Sequence, residues 1–470
     1  MSIKRYTSNK TTSISNAFMS NLRTRQTGSN YGASDIIEIF SIYAQANSSS
    51  SELKRALLEF PISSISSDRS SGKIPSSGSV DFYLKMFNAP HGETLPRQFN
   101  LIVSPVSRSW QAGVGLDHEN GSDITRNGEG ANWINASSAS VWTTAGGDYL
   151  NTLTSSQFFD EGLEDLEINI TPLVESWLAG TIPNYGVGVA LSSSHENTNR
   201  SFYTKRFLAR TSEFFFSRPI IEARWNSSTT DDRDKFFTTS PLLSTTDNTH
   251  TVYLYNYVGG QLKNIPGISS GSIYLQVYTS ASEGTLVNTI PSPVTGGWVS
   301  TGIYSASFEL NTTKSVVYDR WFSGSIVYHT GSINPLAYDS LDHYLETRGY
   351  VTSITNLKPS YSNKETARIR LFIRPRDWSP NLVSIASADI QGTIVENSFF
   401  KVMRINDNHT IVDYGTSSTS HTKLSYDGKG MWFDCDMSMF EPSYTYAFRF
   451  VFLEDGIYAE QPEIFRFRVD

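Results

Sequence analysis

One short segment has the residue types and spacing of a catalytic nucleophile. Gly267-Ile-Ser-Ser-Gly271 matches the Gly-x-Ser-x-Gly pattern, in which hydrolases present a reactive serine. That serine needs a sharp turn between a strand and a following helix. Here a proline-containing loop precedes the motif, and strand-like alternation from Ser272 to Tyr278 follows it. The context therefore predicts an ordinary turn and no catalytic serine.

Carboxylates cluster where they could bind an ion or transfer protons. Asp117-His-Glu-Asn-Gly-Ser-Asp123 offers oxygen ligands of the kind calcium takes, but its spacing is not that of an EF-hand. The pairs Glu164/Asp165 and Asp434/Asp436 could act as catalytic acids, yet no second buried acid can be assigned to either. Solvated surface is the usual place for such groups. We predict no catalytic residue, and ion binding by the 117–123 loop stays open.

The other residues that hold metals and cofactors are scattered. The eight histidines include no His-x-x-x-His pair, and Cys435 is the single cysteine, so neither a zinc site nor an internal disulfide is expected. Gly113-Val-Gly115 and Gly186-Val-Gly188 lack the third glycine of a dinucleotide-binding turn. The sequence predicts no bound metal and no cofactor.

Composition narrows the class of protein. The chain has 470 residues, and single cores stop growing at roughly 250–300 residues, so two or three domains are expected. The net charge is −8 and basic residues do not cluster, which argues against a nucleic-acid partner. No apolar run approaches the ~20 residues of a membrane span. The N-terminal residues lack the apolar region of a signal peptide, so we expect synthesis in the cytoplasm and no membrane partner.

Apolar and polar residues alternate with period two along the whole chain, which predicts β-strands. The alternation is clear at 80–86, 166–170, 273–278, 369–373, 446–452 and 465–469. One short helix is predicted, with Thr171 as N-cap, Pro172 in the first position and Gly180 at its end. Many short strands separated by Gly, Pro, Asn and Ser predict an all-β fold of tandem β-sandwiches.

Two breaks in the strand pattern suggest domain boundaries near residues 228 and 345. Asn226–Asp234 is polar and aperiodic, as in a linker or exposed crossover, and a second break lies near 334–348. We predict a β-sandwich over 31–228, an immunoglobulin-like sandwich over 229–345, and another over 346–470. Residues 1–30 are polar and weakly patterned, which predicts an N-terminal arm that orders on docking.

Residues from about 28 to 226 resemble the DNRLRE-type domain, a β-sandwich of surface proteins and carbohydrate-binding modules. The resemblance implies a jelly-roll-like N-terminal sandwich. It rests on matching elements in the family's order: Arg55–Phe60, Phe82–Met86, Pro105–Trp110, Glu167–Gly180, Asn184–Leu191 and Arg218–Arg224.

A second resemblance covers more of the chain. Met1–Tyr6, Gly32–Tyr43, Arg368–Trp378 and Leu424–Gly428 are similar to segments of virion structural proteins of marine, T4-like tailed phages, including cyanophages. This likeness implies a multi-copy structural protein of the bacteriophage virion, with other virion proteins as its partners. Its position in the virion remains open. It could lie in the tail, the neck or the baseplate, or on the capsid surface as a decoration protein.

Five side chains are candidates for surface contact. Trp133 and Trp142 lie in a Gly/Asn/Ser/Thr-rich stretch, which predicts exposed rings. Arg449, Arg466 and Arg468 lie on faces opposite the apolar ones of two C-terminal strands, and arginine is enriched in interfaces. These residues fit a protein interface. The alternative is a glycan-binding adhesin that recognises the host cell surface.

Overall fold

The computed structural model describes residues 2–116, 130–268, 273–337, 349–376, 392–454 and 456–470. The chain is all-β, with 44% strand and 8% helix, which confirms the predicted fold class. It divides into two compact units, Met1–Asn226 with Ser417–His421, and Ser227–Thr416 with Thr422–Asp470. The division lies beside the boundary expected near 228. The boundary expected near 345 falls in residues 338–348, outside the described ranges.

The first unit contains two sheets and three short helices. The helices are α1 (Ile62–Ser70), α2 (Thr171–Leu178) and α3 (Ser193–Glu196), with a 3-10 turn at Phe215–Ser217. The strands are β1 (Ile3–Thr7), β2 (Lys10–Ser15), β3 (Ile36–Tyr43), β4 (Ser51–Glu59), β5 (Asp81–Met86), β6 (Phe99–Pro105), β7 (Asn135–Ser137), β8 (Ser140–Val141), β9 (Ser155–Phe159), β10 (Leu166–Asn169), β11 (Val187–Leu191), β12 (Phe202–Leu208) and β13 (Ile220–Arg224).

These strands build a sandwich. One sheet has the order β1-β13-β5-β10, and the other has the order β12-β3-β4-β11-β6-β9 with β2 added to β4. Phe82 and Leu84 of the first sheet share one buried cluster with Leu101 and Val103 of the second. The predicted alternation of β5 thus places its apolar residues between the two sheets.

The predicted helix of the first unit is present, and α1 and α3 were not predicted. Ile170 and not Thr171 is the N-cap of α2, and Gly180 has the left-handed φ of 71° expected after a helix end. The unpredicted α1 buries only Ile65, so it lacks an apolar periodicity that could be recognised.

The expected N-terminal arm is wrong for residues 3–15. β1 pairs with β13, and β2 pairs with β4, so both belong to the sandwich. Tyr6 and Ile14 are buried. The sequence of β2, Lys-Thr-Thr-Ser-Ile-Ser, hides this role because its buried side chains are mostly hydroxyls.

The second unit begins with short elements and a second sandwich. A 3-10 turn covers Asp232–Asp234, and α4 covers Thr245–Asn248. The strands are β14 (His250–Tyr255), β15 (Tyr257–Val258), β16 (Gln261–Leu262), β17 (Ile273–Tyr278), β18 (Thr289–Ile290), β19 (Val294–Ser300), β20 (Ile303–Leu310), β21 (Val317–Ser323) and β22 (Ile326–Ile333).

β19 joins the two halves of this sandwich. Its first residues pair with β17, and its later ones, from Gly297, pair with β20. A Cβ on Gly296 would lie 2.9 Å from Ile273 Cγ2 and 3.2 Å from the Trp321 ring, so the crossing point needs glycine.

The last strands form a third sandwich. They are β23 (Tyr350–Ile354), β24 (Ser360–Tyr361), β25 (Thr366–Pro375), β26 (Ser398–Arg404), β27 (Thr410–Val412), β28 (Ser425–Asp427), β29 (Gly430–Asp436), β30 (Thr445–Glu454), β31 (Ile457–Glu460) and β32 (Phe465–Val469), with a 3-10 turn at Met437–Met439. The sheets are β23-β25-β29-β28 and β24-β32-β30-β26-β27, the latter with β31 on β30. Phe433 of one sheet stacks on Phe400 of the other at 4.3 Å.

The polar segment Asn226–Asp234 is not an exposed crossover beyond its first residues. Thr229 and Asp231 are buried, and their backbones exchange hydrogen bonds of 2.9 and 3.1 Å with Tyr426 of β28. Arg233 forms a bidentate ion pair with the fully buried Asp319. Polar residues anchor this segment. The pattern of apolar residues therefore did not reveal that the segment is buried.

Candidate contact surfaces

Trp133 and Trp142 are buried, so their predicted role as exposed contacts is wrong. They pack in a small second core with Trp110, Leu57 and Ile14, on the side of the large sheet that faces away from the main core. Trp142 Nε1 donates a hydrogen bond of 2.9 Å to a backbone carbonyl in the same stretch. The Gly/Asn/Ser/Thr-rich stretch therefore covers the sheet, and its tryptophans supply the apolar contact.

The three C-terminal arginines lie on or beside the outer face of the sheet that contains β30 and β32. Arg449 is half-buried and lies 3.2 Å from Glu460, whereas Arg468 lies 2.5 Å from Asp470. Arg466 is exposed. Acidic residues of the same chain thus balance the charges of Arg449 and Arg468. The role of the three arginines in an interface stays a prediction.

The second sandwich exposes four large apolar residues on two neighbouring hairpins. Tyr257 and Val258 belong to β15 and are 56% and 51% exposed, while Trp298 and Val299 belong to β19 and are 44% and 45% exposed. We call these four residues the hairpin-tip patch. Its sequence signals are Tyr-Val-Gly-Gly at the first turn and Gly-Gly-Trp-Val before the second, which the strand analysis did not single out.

Hydrogen bonds hold the two hairpins of the patch together. The side-chain oxygen of Asn264 accepts from Trp298 Nε1 at 3.1 Å and from the backbone nitrogen of Gly302 at 2.8 Å. The Asn256 nitrogen donates to the Gly302 carbonyl at 2.7 Å. A Cβ on Gly302 would lie 2.7 Å from the Lys263 nitrogen, and its φ is 72°, so the contact needs glycine. The indole ring is therefore held in a fixed orientation on the surface.

A charge network covers one face of the four-stranded sheet of the first unit. Glu222 is almost fully buried and binds Arg5 and Arg224, each at 2.6 Å, and Arg224 also contacts Glu167 at 2.6 Å. Burial alone would raise the pKa of Glu222, but the neighbouring cations, Arg5 first, hold it well below its usual range. Each acid has basic partners, so the network is a structural one.

His421 lies within the same unit as this network. Burial, followed by the positive charge of Arg224, lowers the pKa of His421 to about 4. The imidazole is therefore neutral at physiological pH.

The residues considered for chemistry are engaged or buried. Asp434 forms a bidentate ion pair with Arg368 at 2.8 and 2.9 Å, and Asp436 accepts from the Ser438 nitrogen at 3.0 Å. Cys435 is buried, and burial raises the pKa of its thiol, so the reactive thiolate is disfavoured. Asp231 is a buried acid whose pKa rises to about 7 through desolvation, but it lies in the anchored segment before the second sandwich.

Within the described ranges, no group of three or more His, Cys, Asp or Glu side chains is arranged to hold a metal ion. The 117–123 loop and Ser269 lie outside those ranges. None of the helices in the part of the chain that is described is long and apolar enough to cross a membrane.

The chain matches no protein-family model and no curated protein. Among solved structures it is similar to the adhesin InvE of Yersinia pseudotuberculosis, with 12% identity and a TM-score of 0.16 over 47% of this chain and 54% of that one. It thus spans about half of that adhesin's chain.

Two further solved structures are similar to the chain. The Escherichia coli adhesin FdeC has 10% identity and a TM-score of 0.16 over 60% of this chain and 77% of its own. The N-terminal Ig1-2 module of the Drosophila receptor protein tyrosine phosphatase DLAR has 10% identity and a TM-score of 0.15 over 47% and 91%. TM-scores this low carry no argument about function.

Proposed function

We propose that this chain is a non-enzymatic structural protein of a tailed-phage virion, present in several copies and held by contacts to neighbouring virion proteins. The observation that carries the contact role is the hairpin-tip patch. Clustered exposed apolar residues mark sites of protein association, and Trp and Tyr are enriched in the centres of interfaces. The tail, neck, baseplate and capsid surface all fit this role.

The virion assignment is supported by the sequence resemblance. The similar segments overlap β1, β3, β25 and β28. Because these are strands of the sandwiches, the resemblance supports a shared scaffold, while the patch supports a contact made by that scaffold.

A protein is the partner that best fits the patch. Val258 and Val299 are exposed on the same two hairpins as the aromatic rings, and burial of such apolar surface stabilises protein complexes. Asn264 fixes the Trp298 ring through its indole nitrogen, so little side-chain entropy remains to be lost on binding.

Incorporation into particles tests the proposal. Purified particles should contain the protein in multiple copies, measured by quantitative mass spectrometry. Tyr257→Ser with Trp298→Ser should lower incorporation at least tenfold, because two anchors of one interface are lost. Leu242→Ser is the matched control: Leu242 is 92% exposed but lies outside the patch, so that variant should incorporate normally. Absence of the protein from particles would refute the virion role, and normal incorporation of the double variant would refute the patch.

A glycan-binding adhesin is the second candidate. Exposed Trp298 and Tyr257 rings are the side chains on which a sugar could stack. A glycan array probed with the purified chain distinguishes the two functions. Glycan binding that Trp298→Ser abolishes, together with unchanged particle incorporation of that variant, would favour the adhesin.

A further inference from the structure

The strand β22 lies at one edge of the second sandwich. It pairs with β21 on one side and forms one end of the sheet β14-β20-β19-β17-β21-β22. Most of its residues are exposed, and the side chains of Ile326 and Val327 are 58% and 40% exposed. An edge strand presents a row of backbone N–H and C=O groups to which a further strand can bind.

The opposite edge of the same sheet is closed by side chains. β14 pairs with β20 on one side, and acidic residues lie along its other side. The Thr251 nitrogen donates to Asp232 Oδ2 at 2.8 Å, and the Asp231 carboxyl interacts with the Tyr253 nitrogen. These carboxyl groups take the N–H groups that another strand would need, so β14 is a poor site for strand addition.

The edge of β22 is closed only at its end. There, Arg233 Nη1 donates to the Ser332 carbonyl at 3.2 Å. From Ile326 to Gly331, the hydrogen bonds within the described part of the chain are those that join β22 to β21. The other side of this stretch is therefore open to a strand.

The sequence of β22 has no charge that would repel an identical strand. It reads Ile-Val-Tyr-His-Thr-Gly-Ser-Ile, and burial lowers the pKa of His329, so its imidazole is neutral at physiological pH. Arg320 on the neighbouring β21 contacts Glu283. Arg233 binds the buried Asp319. Edges that stay single usually present lysine or another charge, and like charges placed opposite each other destabilise a strand pair. A neutral edge therefore fits a second copy of itself.

We propose that two copies of this chain associate through β22, which pairs antiparallel with β22 of the second copy about a two-fold axis. In such a pair the same residues contribute from both chains, so each open edge closes the other. The two sheets become continuous, and Ile326 and Val327 lose exposed apolar area. The inference does not rest on the function proposed above, because β22 is separate from the hairpin-tip patch.

The mass of the purified full-length chain in solution tests the pairing. Sedimentation equilibrium should show a dimer that dissociates on dilution. Amides of β22 should exchange with deuterium about tenfold more slowly where the dimer predominates, because new sheet hydrogen bonds protect them. A chain that is monomeric at every concentration, or a dimer without added protection in β22, would overturn the proposal. Protection that appears only when another protein is added would also overturn it, because the partner would then not be a second copy.

Two valines of similar exposure provide a matched pair of variants. Val327→Lys places a charge on the open edge of each copy, so the dissociation constant of the dimer should rise at least about tenfold. Val299→Lys places the same charge in the hairpin-tip patch, where the valine is 45% exposed, and should leave the dimer unchanged. If Val299→Lys disrupts the dimer and Val327→Lys does not, the copies meet through the patch and the proposal fails. The exchange measurement on the wild-type chain decides the matter even if a variant does not fold.

Discussion

Two buried lysines of the same seven-stranded sheet have opposite surroundings. Lys54 on β4 lies 2.6 Å from Glu38 Oε2, and its Nζ lies 3.9 Å from the centroid of the Tyr31 ring. Arg206 binds the other oxygen of Glu38 at 2.7 Å. Within the described part of the chain, the Lys205 amine on β12 instead donates hydrogen bonds only to neutral oxygens. The first amine is balanced by a carboxylate and the second is not.

The comparison shows that a buried lysine amine can be satisfied in two different ways. Burial raises the pKa of Glu38, but the charges of Lys54 and then Arg206 outweigh it and lower this pKa to about 2. That carboxylate is ionised at physiological pH and favours a charged Lys54. Lys205 instead donates hydrogen bonds to three neutral oxygens, and desolvation lowers the pKa of its amine to about 8.

The largest expected effect is the loss of the Lys205 amine. Lys205→Met leaves the Asn88 side-chain oxygen and the carbonyl oxygens of Gly162 and Glu164 without their buried donor, so the free energy of unfolding should fall by roughly 4 kcal/mol. Calorimetry of the full chain should show a lower transition temperature for the first unit.

Asn88→Ala provides the internal check on this prediction. It removes the oxygen that accepts from Lys205 at 2.6 Å, so the double variant with Lys205→Met should be less destabilised than the sum of the two single variants. Additive effects of the two substitutions would show that the residues act separately, and would contradict this coupling.

A smaller effect is expected at the other lysine. Lys54→Met leaves the buried Glu38 carboxylate with Arg206 as its remaining cation, and we expect the free energy of unfolding to fall by about 2 kcal/mol. The same calorimetric measurement checks it. A loss as large as that of Lys205→Met would contradict the expectation that Arg206 still balances the Glu38 carboxylate.

Much of the fold follows from period-two patterning. The alternation at 80–86 predicted β5 with the correct buried face. The alternation at 446–452 predicted β30 and its aromatic core face, but Ala447 and Val451 on the opposite face are buried as well. Patterning failed where polar groups are buried, as in β2, whose hydroxyl side chains lie between protein surfaces. It also failed for the anchored segment Asn226–Asp234, which is held by hydrogen bonds and the ion pair of Arg233.

The contact residues were harder to predict than the fold. Trp133 and Trp142 lie in a polar stretch, but that stretch packs over the outer side of a sheet and buries them. Trp298 lies in a regular strand, yet the end of β19 extends to an exposed hairpin. Local sequence shows whether a ring has polar neighbours along the chain. It does not show whether another segment covers the ring, because that depends on tertiary contacts.

The smallest expected effect is a difference in acid sensitivity between the two lysines. The pKa of Glu38 in the folded chain is about 2, below its ordinary value of 4.5, so its ion pair with Lys54 stabilises the fold fully above about pH 4.5. This contribution is lost as the pH falls from 4.5 towards 2. The stability difference between wild type and Lys54→Met should therefore shrink by about 1 kcal/mol over that range. The three oxygens that accept from Lys205 do not titrate there, so the difference between wild type and Lys205→Met should stay constant. Calorimetry at several pH values within this range measures both differences. If the Lys205 difference shrinks in parallel with that of Lys54, a carboxylate and not the neutral oxygens stabilises the Lys205 amine.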